Sequence, residues 1–100
     1  KMKEFKHVHY FPVDEYMMGM ARNSDLIKRG LSQQTAAAIF AVSYAEGLLD
    51  DANEYHWQAR AFNDLEAEET AIEYEQLAEM YRNYARKNGA GYMLEGSKSK

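Results

Sequence analysis

Apolar residues follow helical spacing along most of this chain, above all over residues 32–88, which contain no proline and a single glycine. Alanine recurs there at every seventh position, first over residues 38–59 and again over residues 71–85. Such spacing places a narrow apolar stripe along a helix, which then needs a partner helix. The pattern predicts an all-α, elongated fold with long helices. The predicted interface residues are Ala38, Ala45, Leu48, Ala52, Tyr55, Ala59, Phe62, Ala71, Tyr74, Ala78, Tyr81 and Ala85.

The two alanine stripes change phase near Asn63. Neither glycine nor proline enforces a turn there, so residues 32–88 are predicted to form either a helical hairpin or one long bent helix. Asn63 with Glu66 fits a capping arrangement that would begin a new helix. Both alternatives stay open at this point.

The segments outside the long helices are predicted to be short. Residues 1–11 are aromatic without a helical period, which favours an extended arm. A short N-terminal helix follows, for which Asp14 is the expected N-cap, and Ser32 is the expected N-cap of the long helical stretch. Residues 89–100 are rich in glycine, serine and lysine, and we expect a flexible tail. Residues 12–88 form the predicted helical domain.

Large apolar residues are too few for an ordinary core. Leu, Ile, Val and Phe make up 17 of the 100 residues, below the range typical of a globular domain, and alanine adds little buried area at about 25 cal/mol per Å². Assembly would supply the missing burial, so we predict a homo-oligomer that packs through its alanine stripes and also contacts other assembly proteins. There is no cysteine, hence no disulfide framework. No apolar run approaches the roughly 18 residues of a membrane span.

Charge is segregated along the chain, although the net charge is only −4. Residues 43–79 hold eleven acidic side chains and one basic side chain, Arg60, while both ends are basic. An acidic middle repels nucleic acid and suits staggered contacts between copies. The simplest interpretation is a solvated acidic face.

No grouping of residues predicts catalysis, a cofactor or a metal ion. The histidines are His7, His9 and His56, and zinc needs three or four ligands in fixed geometry. The carboxylates belong to a run so acidic that solvation explains them better than acid–base catalysis, which needs burial or a close like charge. No Ser/His/Asp order or phosphate-binding glycine loop is present. We therefore predict a protein that is not an enzyme and has no small-molecule substrate.

Residues 31–43 resemble the helix-turn-helix of repressor families, with Gln33, Ala37, Ala41 and the Val-Ser pair at matching positions. The resemblance implies a DNA-binding regulator. Base and phosphate contacts need donors and positive charge, and the would-be recognition helix is acidic. An acidic inhibitor that mimics DNA is the related alternative. The acidic residues of that helix are Glu46, Asp50 and Asp51.

A second resemblance covers about half of the chain. The run Asp50-Asp-Ala-Asn-Glu-Tyr-His-Trp-Gln-Ala-Arg-Ala-Phe-Asn63, followed by the basic segment from Tyr81 and by Gly-Tyr-Met-Leu-Glu-Gly-Ser97, resembles the internal virion (ejection) proteins of short-tailed bacteriophages. The resemblance implies an oligomeric virion component without catalytic residues. Such proteins are stored in the capsid and help to form a conduit for genome delivery. The expected location is then the virion or the host cytoplasm.

Overall fold

The computed structural model describes residues 5–98, which form five α-helices joined by short connections and contain no strand. The molecule measures 49 × 32 × 23 Å, and its radius of gyration is 14.9 Å, against about 13 Å for a compact domain of 100 residues. The predicted all-α, elongated fold is confirmed. The helices are α1 Val13–Arg22, α2 Asp25–Lys28, α3 Gln33–Phe62, α4 Leu65–Lys87 and α5 Gly91–Lys98.

Helices α3 and α4 form an antiparallel hairpin, which decides between the two alternatives for residues 32–88. α3 ends where Asn63 adopts the left-handed conformation, with φ 54° and ψ 46°, which asparagine tolerates better than most residues. The amide of Asp64 donates to the carbonyl of Ala59 at 3.0 Å. The Asp64 carboxylate accepts from the amide of Ala67 at 3.2 Å and caps α4. The turn is therefore made by asparagine and aspartate, without glycine or proline.

One of the three predicted N-caps is confirmed. The hydroxyl of Ser32 accepts a hydrogen bond from the amide of Thr35 at 3.1 Å at the start of α3. Asp14 lies inside the first turn of α1, which begins one residue earlier, so this predicted cap is wrong. Asn63 is not an N-cap either, because its left-handed backbone ends α3 and the capping role passes to Asp64.

Helix α1 packs across α3 and α4 at the end of the molecule away from the hairpin turn. Met17 and Ala21 of α1 are fully buried. The core that they share with the hairpin reaches Leu48 on α3 and begins at Leu77 on α4. Between these residues and the turn, α3 and α4 are the only described helices that pack on each other. The hairpin is therefore supported by a third helix over part of its length only.

The C-terminal segment is helical, which differs from the flexible tail predicted for residues 89–100. Gly89 has φ +98°, and the amide of Ala90 donates to the carbonyl of Ala85 at 2.8 Å, which reverses the chain after α4. α5 then packs on α4, with Ala90 and Leu94 buried. Gly89 makes a defined turn that places Ala90 and Leu94, four residues apart, against α4.

The N-terminal arm forms neither helix nor strand over residues 5–12. It lies against α4, and Val8 is buried in the shared core. Residues 1–4 of the predicted arm and residues 99–100 of the predicted tail lie outside the described residues.

The helix-turn-helix resemblance of residues 31–43 is not matched by the structure. α3 continues without interruption through Ala41, where the motif requires its turn. Alanine is the best helix former, and Ala41 is fully buried in the hairpin core. The segment therefore begins one long helix and does not form a helix-turn-helix.

Candidate functional site

The alanine stripes lie in the seam between α3 and α4. Alanine side chains let two helices approach closely, and the partner helix that the pattern requires is supplied by the same chain. Contacts between copies through these residues would therefore require the hairpin to open. Of the predicted interface residues, Ala38, Ala45, Leu48, Ala52, Ala71, Ala78, Tyr81 and Ala85 are buried, Tyr55, Ala59 and Tyr74 are half-buried, and Phe62 is exposed.

Tyrosine rings bridge the helices along this seam. The rings of Tyr44 on α3 and Tyr81 on α4 lie 4.7 Å apart, and Tyr16 on α1 meets Tyr44 edge-on at 5.6 Å. Nearer the turn, Tyr55 and Tyr74 stack at 5.5 Å. Burial, followed by the neighbouring Tyr44, raises the pKa of Tyr81. These rings hold the three helices together.

An imidazole joins the two long helices near the turn. The Nδ1 atom of His56 lies 2.9 Å from Oε1 of Glu68, and its Nε2 atom lies 2.9 Å from Oε2 of Glu75. The hydrogen bond to Glu68, then the one to Glu75, raises the pKa of His56 against the opposing effect of burial. The two glutamates lie 12 and 19 residues from His56 along the chain, and they face it because α3 and α4 pack as a hairpin.

A carboxylate holds the N-terminal arm in place. Glu73 accepts hydrogen bonds from the backbone amides of Lys6 at 2.9 Å and His7 at 2.8 Å. Burial works to raise the pKa of Glu73, but the amides of His7 and Lys6 outweigh it and hold that pKa below its usual value. The His7 ring also lies 3.0 Å from Glu69 and 3.7 Å from Glu66. Over the described residues, no group of three or more histidine, aspartate or glutamate side chains is arranged to hold a metal ion.

Large apolar side chains are exposed at the turn of the hairpin. Phe62, the last residue of α3, is 75% exposed, and Leu65, the first residue of α4, is 77% exposed. Trp57, less than two turns before the end of α3, is 66% exposed. We call these three residues the hairpin-tip surface. The heptad spacing predicts Phe62 inside the packed stripe, whereas its place at the end of α3 leaves it exposed.

The hairpin-tip surface lies in the acidic part of the chain. Acidic residues in the first turn of α4 include Glu66 and Glu68, and Asp64 caps that helix. Large apolar side chains exposed close to a turn are available for contact with another macromolecule. The geometry can therefore offer an apolar contact bordered by negative charge.

No protein-family model matches the chain, and no curated protein or solved structure is significantly similar to it. None of the helices in the described part of the chain combines the length and hydropathy that a membrane crossing requires. The function is therefore inferred from the chain's own surface.

Proposed function

We propose that this chain is a non-enzymatic structural or assembly protein that works by binding other protein chains. The observation that carries the proposal is the hairpin-tip surface, where Trp57, Phe62 and Leu65 are each more than 60% exposed. Burying apolar area stabilises a contact by about 25 cal/mol per Å². The two packed helices of the hairpin place these side chains near the turn, at one end of an elongated molecule.

The partners are further copies of the chain and other assembly proteins. Copies associate through the hairpin-tip surface rather than through the alanine stripes, because the stripes are already covered within one chain. Residues 50–63 and 81–97 resemble phage internal virion proteins. This resemblance supports a component of a bacteriophage particle, located in the virion or the host cytoplasm.

A non-enzymatic role agrees with how the titratable groups are used. His56 is engaged by Glu68 and Glu75 between the two long helices. Glu73 is engaged by the backbone of the arm. These contacts hold elements together, and they give the groups a structural purpose that needs no substrate.

Light scattering of the purified chain over a wide range of concentration tests the proposal. We expect the mass to rise with concentration, and the double variant Phe62→Ser, Leu65→Ser to remain monomeric. Tyr92→Ser is the matched control, because Tyr92 is also exposed, at 68%, but lies on α5. A wild-type chain that stays monomeric at every concentration, or a control that loses association equally, would contradict the proposed contact.

The second candidate is an acidic protein that mimics DNA. It is favoured by the exposed acids Glu46, Asp50 and Glu54, which follow one another at four-residue spacing on α3 and so share one face of the helix. Such a protein would compete with duplex DNA for a basic DNA-binding protein, with a strong dependence on salt. A competition assay that shows no displacement of DNA at low salt would dismiss this candidate.

A further inference from the structure

A groove runs along α3 beside the end of α1. Its volume is about 480 Å³, within the range of ligand and peptide sites. Met20 of α1 forms one side, and Phe40, Tyr44 and Leu48 of α3 line it with apolar and aromatic surface, with Gly47 between them. The lining spans eleven residue steps of α3, or about 16 Å of helix. This length matches three turns of a second helix.

Within the part of the chain that the structure describes, no contact requires a glycine at position 47. A glycine in the interior of a helix destabilises it relative to alanine. The φ angle of Gly47 is not in the left-handed region, and a Cβ atom added there would meet nothing within 4 Å. The chain therefore tolerates an unfavourable residue where its own atoms do not require one. A glycine in the floor of a groove allows the backbone of another molecule to approach closely.

Negative charge borders the groove. Asp50 and Asp51 line one end of it, and Glu46 and Glu54 are exposed on neighbouring turns of α3. The only basic residue in α3 is Arg60, in its last turn. An occupant that carries lysine or arginine beside apolar side chains would match both the walls and the rim.

We propose that this groove binds a helix of a partner protein that has an apolar stripe, a small residue where it crosses Gly47, and lysine or arginine at its edges. Helix-in-groove binding uses such spaced apolar anchors. The inference rests on the proposed role as a protein-binding assembly component, and it names the chemistry of one partner.

The test is an NMR titration of the full chain with a synthetic amphipathic helix of alanine, leucine and lysine. We expect amide shifts to move at Phe40, Tyr44, Gly47 and Asp51, and a control peptide with glutamate in place of lysine to leave them unchanged.

Gly47→Leu, which fills the groove, should weaken binding about tenfold or more. Gly47→Ala should raise the midpoint of urea unfolding and yet weaken binding. Gly19→Ala, in α1 and equally free of contacts, should raise the midpoint without affecting binding.

Equal binding of both peptides, unchanged affinity of Gly47→Leu with an intact far-UV spectrum, or no shift changes at the groove would each overturn the proposal. Shift changes at these amides on dilution of the chain alone would identify a second copy as the occupant and also overturn it. A chain that binds the peptide but never self-associates would sink the contact at the hairpin tip and keep the groove. Self-association without peptide binding would overturn the groove and keep the contact at the hairpin tip.

Discussion

The Nε2 atom of His56 on α3 lies 2.9 Å from a carboxylate oxygen of Glu75 on α4, and the other ring nitrogen is equally close to Glu68. Only a protonated imidazole can donate from both nitrogens at once. The contact lies between the turn and the core shared with α1, where two helices pack without a third. Protonation of one side chain therefore contributes to the stability of this half of the hairpin.

We expect His56→Gln to lower the free energy of unfolding by about 0.5–1 kcal/mol in acidic solution, the range of partly exposed ion pairs. The pKa of His56 is raised above 6.5 in the folded state, so the protonated ring stabilises the fold fully below that value. The stabilisation is lost as the pH rises through the folded-state pKa. Urea unfolding at a pH below 6.5 and at one well above it measures the difference between wild type and variant.

His9→Gln is the matched control, because His9 is exposed on the arm. It should leave the free energy of unfolding unchanged at both pH values. An equal difference in the free energy of unfolding between wild type and His56→Gln below pH 6.5 and well above it would show that the imidazole does not bridge the helices as a cation.

Replacing Asn63, which ends α3, should destabilise the fold when the new residue is alanine and should be tolerated when it is glycine. Asn63 is left-handed, a conformation that costs residues with a Cβ about 1–2 kcal/mol, and asparagine is less penalised. We expect Asn63→Ala to destabilise the fold by about 1 kcal/mol and Asn63→Gly to be tolerated. Chemical unfolding followed by circular dichroism measures both. Asn53→Ala, at an exposed helical position of α3, should be neutral or stabilising, and an equal loss there would argue against the turn geometry.

Enlarging an alanine of the seam tests where the stripes pack. Ala52 is fully buried, so Ala52→Leu should overpack the seam and lower the free energy of unfolding by about 1–3 kcal/mol. Ala61→Leu, at an exposed position, should change it by less than about 0.5 kcal/mol. Thermal unfolding and light scattering should be measured together. A variant with altered association but unaltered stability would instead place Ala52 between copies.

Removing the charge at Glu73 should free the arm. Glu73→Gln loses a charge-assisted acceptor for the amides of Lys6 and His7, and we expect their hydrogen exchange to accelerate about fivefold or more. Since the pKa of Glu73 is lowered, its contribution is present above pH 4.5 and is lost as the pH falls through the folded-state pKa. Glu54→Gln, an exposed acid on α3, is the control. Unchanged exchange in Glu73→Gln would show that other contacts hold the arm.

The periodic part of the fold was predictable because heptad spacing demands a partner helix wherever it occurs. What spacing cannot state is whether that helix belongs to the same chain. The answer depended on Asn63, whose left-handed backbone produces a turn without the usual glycine or proline. Gly89 carries a similar ambiguity, since a glycine can mark either a loose segment or a defined helix end.

The candidate surfaces were less predictable than the fold. Phe62 follows the stripe that contains Tyr55, yet it falls on the last residue of α3 and is exposed. The partners of His56 and Glu73 are distant in sequence, so no local pattern could identify them. Gly47 was visible as the single glycine of the helical stretch, but its place in a groove required the position of α1.

The bonds between Glu73 and the arm join residues 66 and 67 positions apart in the chain. During synthesis the arm leaves the ribosome before α4 exists, and at roughly 5–20 residues per second the interval is about three to thirteen seconds. For that time the backbone amides of Lys6 and His7 lack their carboxylate acceptor. Docking of the arm on Glu73 is therefore a late event in the maturation of each molecule.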